Sequence, residues 1–406
     1  MKKSAIKILL ALVAVLSLSY AQAQTGIING SDTSRRVITT AVPFLLIAPD
    51  ARSGAMGDAG AALSPDANAI HWNVAKLAFI EDDLGFSMSY TPWLGNLIDD
   101  MSISYLSGYK KITKEQTVAF DLRYFDLGNI QLTDDNGNPF GDFNPREFTV
   151  GGAYARMLTT KLSLGVAARF IHSNLSGNFI SPGNDGKNGT SVAVDFGVFY
   201  KKDLMLAGRN SNIAFAGHIS NIGRKITYSN DDNNDFLPGN LRIGTALTTS
   251  LDPYNTITFT VDFNKLLVPT PPVYEIASDG TTVVDANGDP VIARGSDPNR
   301  SLLSGTFGSF FDAPDGFSEE IQEISIASGI EYWYRDLFAA RTGFFYEAAN
   351  KGNRKYFTAG LGLRYQRFGL DFAYLLPIEQ NHPLADTLRF TLAFNMDNGN
   401  EESVTE

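Results

Sequence analysis

Polar and apolar residues alternate along most of this chain. From Thr256 to Asn264, Ile257, Phe259, Val261 and Phe263 take one face, and Thr258, Thr260, Asp262 and Asn264 take the other. A period of two belongs to an extended strand with one apolar and one polar face. The same alternation sets Leu84, Phe86, Met88 and Tyr90 against Gly85, Ser87 and Ser89, and Val192, Val194, Phe196 and Val198 against Ala193, Asp195 and Gly197. It returns at Phe357, Ala359, Leu361 and Leu363, and again at Leu388, Phe390, Leu392 and Phe394. Strands are predicted at 84–93, 100–110, 117–128, 147–158, 161–173, 190–202, 212–222, 239–251, 255–266, 323–334, 337–347, 356–366, 368–377 and 386–395.

An even number of strands, each about as long as the 9–11 residues that cross a bilayer at a tilt, predicts an all-β fold, a transmembrane antiparallel β-barrel of about 14 strands. A soluble β-sandwich would also alternate. Two features count against it. The polar faces carry isolated charges, Asp121, Arg123, Asp195, Asp262, Arg364 and Asp371, as a wet lumen would. Aromatic residues gather near strand ends, at Tyr90 and Trp93, Tyr124 and Phe125, and Tyr332 to Tyr334, where a bilayer has its headgroups.

The connections alternate in length. Lys111–Gln116, Thr159–Thr160, Asp252–Tyr254, Arg335–Asp336 and Arg367 are short, while Asn129–Arg146, Asn174–Gly189, Gly223–Gly239 and Leu267–Gln322 are long. Short turns are expected in the periplasm and long loops outside. Asp203–Ser211 is expected as a periplasmic connection longer than its peers.

Residues 24–83 do not alternate. The small, Gly-rich run Gly54 to Gly60 and the turn-and-helix stretch Pro65 to Leu77 predict either a lumen plug or a periplasmic tail, and few charges with much Ala and Gly favour the plug. Residues 1–23 have the form of an export signal: Lys2, Lys3 and Lys7, the apolar run Ile8 to Leu18, then Ala21-Gln22-Ala23. An uncleaved anchor is the alternative. The barrel is expected to span 84–396, followed by an acidic tail, 397–406. The expected location is the outer membrane of a Gram-negative cell, with lipid around the barrel.

Composition narrows the chemistry. The net charge of −11 becomes more negative when the lysine-bearing leader is removed, which argues against nucleic acid as a partner. With no cysteine, disulfides and thiolate chemistry drop out. Beyond the leader no run of 18 apolar residues could form a spanning helix. His71, His172, His218 and His382 stand in no metal-ligand spacing. His172 and Ser173 are strand neighbours and point to opposite faces, so they cannot act together as base and nucleophile. Asp285, Asn287 and Asp289 mimic the start of a calcium loop, but Pro290 and Ser296 stand where Gly and Glu are required, so a tight turn is expected. No enzyme, cofactor or metal is expected.

The longest loop, 267–322, is too long for a passive hairpin. Val268-Pro269-Thr270-Pro271-Pro272 is stiff. Thr281–Val284 and Val291–Ala293 flank a hairpin turn, and Asp315 is placed to cap a short helix with Phe317, Ile321 and Ile324 on one face. Apolar Phe307, Phe310 and Phe311 precede it. Two readings stay open: a contact surface for another protein, or apolar residues packed down over the barrel mouth.

Residues 43–60, PFLLIAPDARSGAMGDAG, and 67–79, ANAIHWNVAKLAF, resemble the plug region of PorV proteins (also called LptO) of the type IX secretion system. The loop segments KLLVPTPP, 265–272, and FFDAPDGFSEEIQEI, 310–324, resemble the same family's outer loop. The resemblance covers nearly the whole mature chain and implies a fold similar to the FadL fatty-acid channels, with fourteen strands and an N-terminal hatch. Arg52, Met56, Gly57, Asp58, Trp72 and Asn73 carry the plug likeness. The function it implies is non-enzymatic: binding the large translocon barrel, receiving cargo proteins by their C-terminal signal domains, and delivering them to a PorU-like sortase for surface attachment. Val268, Pro269, Pro271, Pro272, Phe307, Phe310, Phe311 and Phe317 are the expected partner contacts, an assignment made from the loop's composition. The alternative is a FadL-like channel for hydrophobic small molecules.

Overall fold

Segments with a period of two and branched or aromatic residues on one face form strands, and closing the sheet leaves no unpaired edge. A computed structural model of the chain describes residues 36–396 apart from 96–97, 99, 135, 176–186, 229–233 and 380–382. The expected signal, the acidic tail and His382 lie outside the described residues. Along the chain the strands are β1 (Leu84–Pro92), β2 (Ser102–Thr113), β3 (Gln116–Asp126), β4 (Ile130–Thr133), β5 (Pro139–Phe143), β6 (Arg146–Met157), β7 (Leu162–Asn174), β8 (Gly189–Leu206), β9 (Arg209–Gly223), β10 (Asn240–Asp252), β11 (Asn255–Leu266), β12 (Val273–Tyr274), β13 (Ile292–Arg294), β14 (Ile324–Tyr334), β15 (Phe338–Tyr346), β16 (Lys355–Tyr365), β17 (Phe368–Pro377) and β18 (Leu388–Met396).

Fourteen of them close into one antiparallel barrel, in the order β1-β18-β17-β16-β15-β14-β11-β10-β9-β8-β7-β6-β3-β2. Closure is made by β1 and β18, from Leu84 opposite Met396 to Tyr90 opposite Phe390. The pairs β4–β5 and β12–β13 are small hairpins within long loops. The apolar faces point outward: Phe86, Phe120, Val192, Phe196, Phe259, Phe357 and Leu392 are all exposed, which in water would be untenable and in lipid is the required arrangement.

One connection differs from expectation. Asp203–Ser211 is not a loop: β8 and β9 stay paired from Asp203–Asn212 to Leu206–Arg209 and turn at Ala207-Gly208. Both turn residues have positive φ, 52° and 78°, as a two-residue hairpin whose twist matches its strands requires. The chain thus makes a tight turn at the tip of a long hairpin.

The plug reading holds inside the barrel. Residues from Ala41 to Ile80 pack in the lumen, through Ala51–Gly54, Ala69–Trp72 and the 3-10 turns Pro43–Leu46 and Val74–Phe79. Several lumen polar residues serve plug backbone, Asp262 and Arg123 among them, while Asp195 pairs with Arg169 and Asp371 with Arg341 and Arg364 within the wall. Asp262 Oδ2 accepts from Gly60 N and Ala61 N, each at 2.8 Å. Thr358 Oγ1 accepts from Gly57 N at 2.9 Å and donates to Ala55 O at 2.8 Å. Ser163 Oγ donates to Ala75 O at 2.7 Å, and Arg123 Nη1 donates to Phe44 O at 2.8 Å. Short plug helices cannot satisfy all their own backbone groups, so the wall supplies the missing partners.

Candidate partner-binding surface and plug lock

The six plug residues singled out in the sequence are brought into one lumen. Arg52 lies in the turn Ala51–Gly54, started by Asp50, whose carboxylate accepts from Ser53 N. Its guanidinium makes two bonds to Glu331 of β14, each at 2.9 Å, and a third to Asp66 at 3.0 Å. Glu331 also accepts from Arg341 Nε at 2.7 Å, and Arg341 donates to Asp371 at 2.8 Å, so one ion chain ties the plug to β14, β15 and β17. Paired, fork-matched charges of this kind offset the cost of burying each one.

Met56 and Gly57 press against the barrel wall where β14 and β15 carry glycine. A Cβ on Gly343 would lie 2.0 Å from Gly57 N, so only hydrogen fits there, and Gly57 itself sits at φ +70°. Asp58 accepts from Tyr356 Oη at 2.7 Å and from Arg389 Nη1 at 3.0 Å. Trp72 donates Nε1 to Asp50 at 2.6 Å. Asn73 caps the turn Val74–Phe79 through Ala75 N and donates to Val198 O at 2.9 Å. This set is a structural lock, built from residues that sequence alone marked only by resemblance.

The long loop divides the partner candidates in two. Val268, Pro269 and Pro272 are buried and Pro271 half-buried, which takes them off the outward surface. They form a stalk: Leu267 N bonds Gly239 O at 2.7 Å, and Pro269 packs with Phe236 against Gly305 of the helix Leu302–Gly308. Stiff prolines with no N–H suit a buried extended segment. Phe310 is half-buried beside Lys265. In contrast, Phe307, Phe311 and Phe317 are 70%, 89% and 79% exposed, and Leu303 and Ile321 accompany them.

The helix Phe317–Gln322 is turned inside out. Phe317 and Ile321 face away from the protein, while Glu319, Glu320 and the adjoining Glu323 are buried. Lys265 of β11 bonds Glu320 at 3.0 Å and also Glu323; Lys351 bonds Glu319 at 2.6 Å and Glu323 at 2.9 Å. Arg36, at the start of the described chain, forks onto Glu319 with two bonds of 2.8 Å and reaches Asp315. Burial alone would raise the Glu319 pKa, but the bonds from Arg36 and Lys351 outweigh it and bring the carboxyl down to about 2. Asp315 does not cap the helix as expected: the N-cap is Gly316, and the Asp315 carboxylate serves Arg36 and Arg294 instead. Lys265, Lys351 and Arg36 were not legible as a site in the sequence, since three distant elements supply them. The spacing of Glu319, Glu320 and Glu323 opposite Phe317 and Ile321 was the available signal.

The remaining candidates behave as turns and wall. Asp285 accepts from Asn287 N at 2.8 Å and Asp289 N at 3.0 Å, closing the hairpin turn. Ser173 is buried and bonds Glu147 at 2.6 Å, while His172 stacks near Phe148 on the other face.

Among solved structures, the chain is similar to the Ralstonia pickettii toluene transporter TbuX (13% identity, covering 87% of this chain and 99% of that one, TM-score 0.45). It is also similar to the P. putida toluene transporter TodX (12%, 87% and 100%, TM-score 0.47) and to a Pseudomonas aeruginosa FadL homologue (11%, 89% and 99%, TM-score 0.43). A search of curated proteins gave no match. The family model described as "Type IX secretion system protein PorV" matches residues 30–273, from before the plug to the start of the long loop, and the chain belongs to that family.

Proposed function

We propose that this protein is a non-enzymatic cargo receiver of the type IX secretion system in the outer membrane, which binds C-terminal signal domains of cargo at the translocon and delivers them to a PorU-like sortase. The observation that carries the reading is the inverted helix. The buried glutamates are repaid by their ion pairs, but an isolated monomer gains nothing by exposing Phe317 and Ile321, with Phe307 and Phe311 exposed in the same loop. Such a face gains by burial under a partner, and large aromatic side chains on a rigid support are the usual anchors of protein interfaces. The ion-paired underside keeps the face presented outward.

The test is a pull-down of the tagged protein from its own outer membrane in mild detergent, read by mass spectrometry, beside a variant with Phe307, Phe311 and Phe317 changed to Ser. Expected with the native chain are a very large barrel, a sortase or secreted proteins sharing a C-terminal domain. The variant should stay folded and heat-modifiable on gels and lose about tenfold or more of the capture. Recovery of the barrel alone with bound lipid or fatty acid would instead support the small-molecule channel. Equal capture by the variant would remove the aromatic face from the reading.

A further inference from the structure

Above the plug, at the long-loop end of the lumen, lies a cavity of about 450 Å³. Its apolar walls include Leu46, Ile47, Leu266 and Phe345, and its floor is Trp72 and Arg242. That volume is within the range of about 300–1,000 Å³ typical of binding sites. The charged groups on its wall are spoken for, with one exception. Lys351 is paired with Glu319 and Glu323, Arg354 with Glu347, and Asp58 with Arg389.

Arg242 has no ion pair among the described residues. It is held by neutral acceptors, Asn264 Oδ1 at 2.8 Å from Nε and Trp72 O at 3.3 Å from Nη1, and its guanidinium lies over the Trp72 ring at 4.7 Å. Among the described residues no hydrogen bond is made by Nη2, and Arg242 lines the cavity. Asp262 gives Oδ2 to the plug backbone and its Oδ1 makes no hydrogen bond among the described residues, while Asp58 is held by Tyr356 and Arg389. A planar cation stacked on an indole, fixed at one edge and open at another, is oriented to bind an anion rather than free to snorkel into water. Because the wall exposes more apolar than polar surface and its other charges are paired with one another, the anion it suits is a single one at the end of an apolar chain.

We propose that Arg242 on Trp72 is a carboxylate subsite, and that the cavity takes the terminal carboxylate of an apolar chain. Two sources share that chemistry: the free C-terminus of a bound polypeptide, which rests on the cargo-receiver reading, and a free aliphatic acid. The chain end fits the outward aromatic face at the same end of the barrel, since a partner held there could extend its last residues into the cavity.

The probe is a short, apolar, fluorescein-labelled peptide with a free C-terminal carboxylate, titrated with the purified full-length protein in a non-ionic detergent and read by anisotropy. Its C-terminally amidated twin and unlabelled dodecanoate as competitor complete the set. The acid peptide should bind about tenfold or more tighter than the amide, and R242Q should lose a similar factor, as expected for removing a charge-assisted hydrogen bond. If R242Q is not heat-modifiable, Leu46→Trp, which crowds the cavity wall and leaves Arg242 in place, should weaken the acid peptide likewise. Weak competition by dodecanoate would assign the site to chain ends; competition at the peptide's own concentration would assign it to a free acid and keep the subsite. Equal binding of acid and amide, or an unchanged affinity in a folded R242Q and in the Leu46→Trp variant, would overturn it. Should the pull-down recover no cargo while the acid peptide binds selectively, the cargo reading fails and the subsite stands.

Discussion

Arg52 and Glu331, 279 residues apart in the chain, meet in a two-bond fork inside the barrel. The plug is therefore held to the wall by directional, buried charge, and the pair is the first link of the chain that continues through Arg341 to Asp371. Arg52→Ala leaves Glu331 with only Arg341 and strips Asp66 and Ser64 of their shared donor. A loss of about 1.5–3 kcal/mol is expected, the range for a hydrogen bond to a charged group, because Arg341 still compensates Glu331. Urea unfolding of the protein refolded in lipid vesicles measures it, and a midpoint equal to that of the native chain would refute the lock. Arg52→Lys should recover little, since an ammonium cannot form the fork.

Backbone contact between plug and wall makes a second, independent prediction. Gly343→Ala places a methyl group 2.0 Å from Gly57 N and 2.1 Å from Met56 C, so strand or plug must move. About 1–3 kcal/mol of overpacking is expected. Gly152→Ala is the control, because its Cβ would enter open space on the lipid side. Thermal unfolding followed by gel heat-modifiability should separate the two; equal midpoints would mean the plug is not tightly seated at β15.

How much of this was legible in the sequence follows from what each residue depends on. The strands were readable because alternation is local: Phe259 and Asp262 disclose their faces to their immediate neighbours. What Asp262 does with its face was not readable. A lone lumen carboxylate looks the same whether it meets water or the N–H groups of Gly60 and Ala61, and only the fold brings the plug there. The loop shows the same limit. The stiffness of Val268 to Pro272 was visible, but stiffness suits a buried stalk as well as an outward contact. In Phe317–Glu323 the partition into an apolar and an acidic face was visible too. Which face turns inward was decided by Lys265, Lys351 and Arg36, which lie far away in the chain.

The stalk gives a third prediction. Exchanging Pro269 and Pro272 for Ser frees the unfolded loop, and the loss of the Pro269 ring removes packing on Gly305, so the helix Leu302–Gly308 should loosen while the barrel stays intact. The cost from chain entropy is about 0.4–1 kcal/mol per proline. Limited proteolysis should then cut within 301–311 faster than in the native chain, with unchanged heat-modifiability. Unaltered cleavage would show that the loop is held by the ion pairs alone.

The fourth prediction concerns pH. The Glu319 carboxyl stands at about 2, below its ordinary value of 4.5, because its bonds to Arg36 and Lys351 outweigh burial. A depressed carboxylate contributes its stabilisation in full above the ordinary value and loses it as pH falls towards the folded one. The inverted helix should therefore be docked at pH 7 and at pH 5.5, and release progressively from about 4.5 down to about 2. With no native cysteine, Ser318→Cys on the exposed side takes a single nitroxide label, and its EPR line shape reports docking. Glu319→Gln removes the charge at every pH, so its label should be mobile already at neutral pH and respond less to acid. A line shape that stays constant from pH 5.5 to pH 2 in the native background would show that the Glu319 charge does not hold the helix.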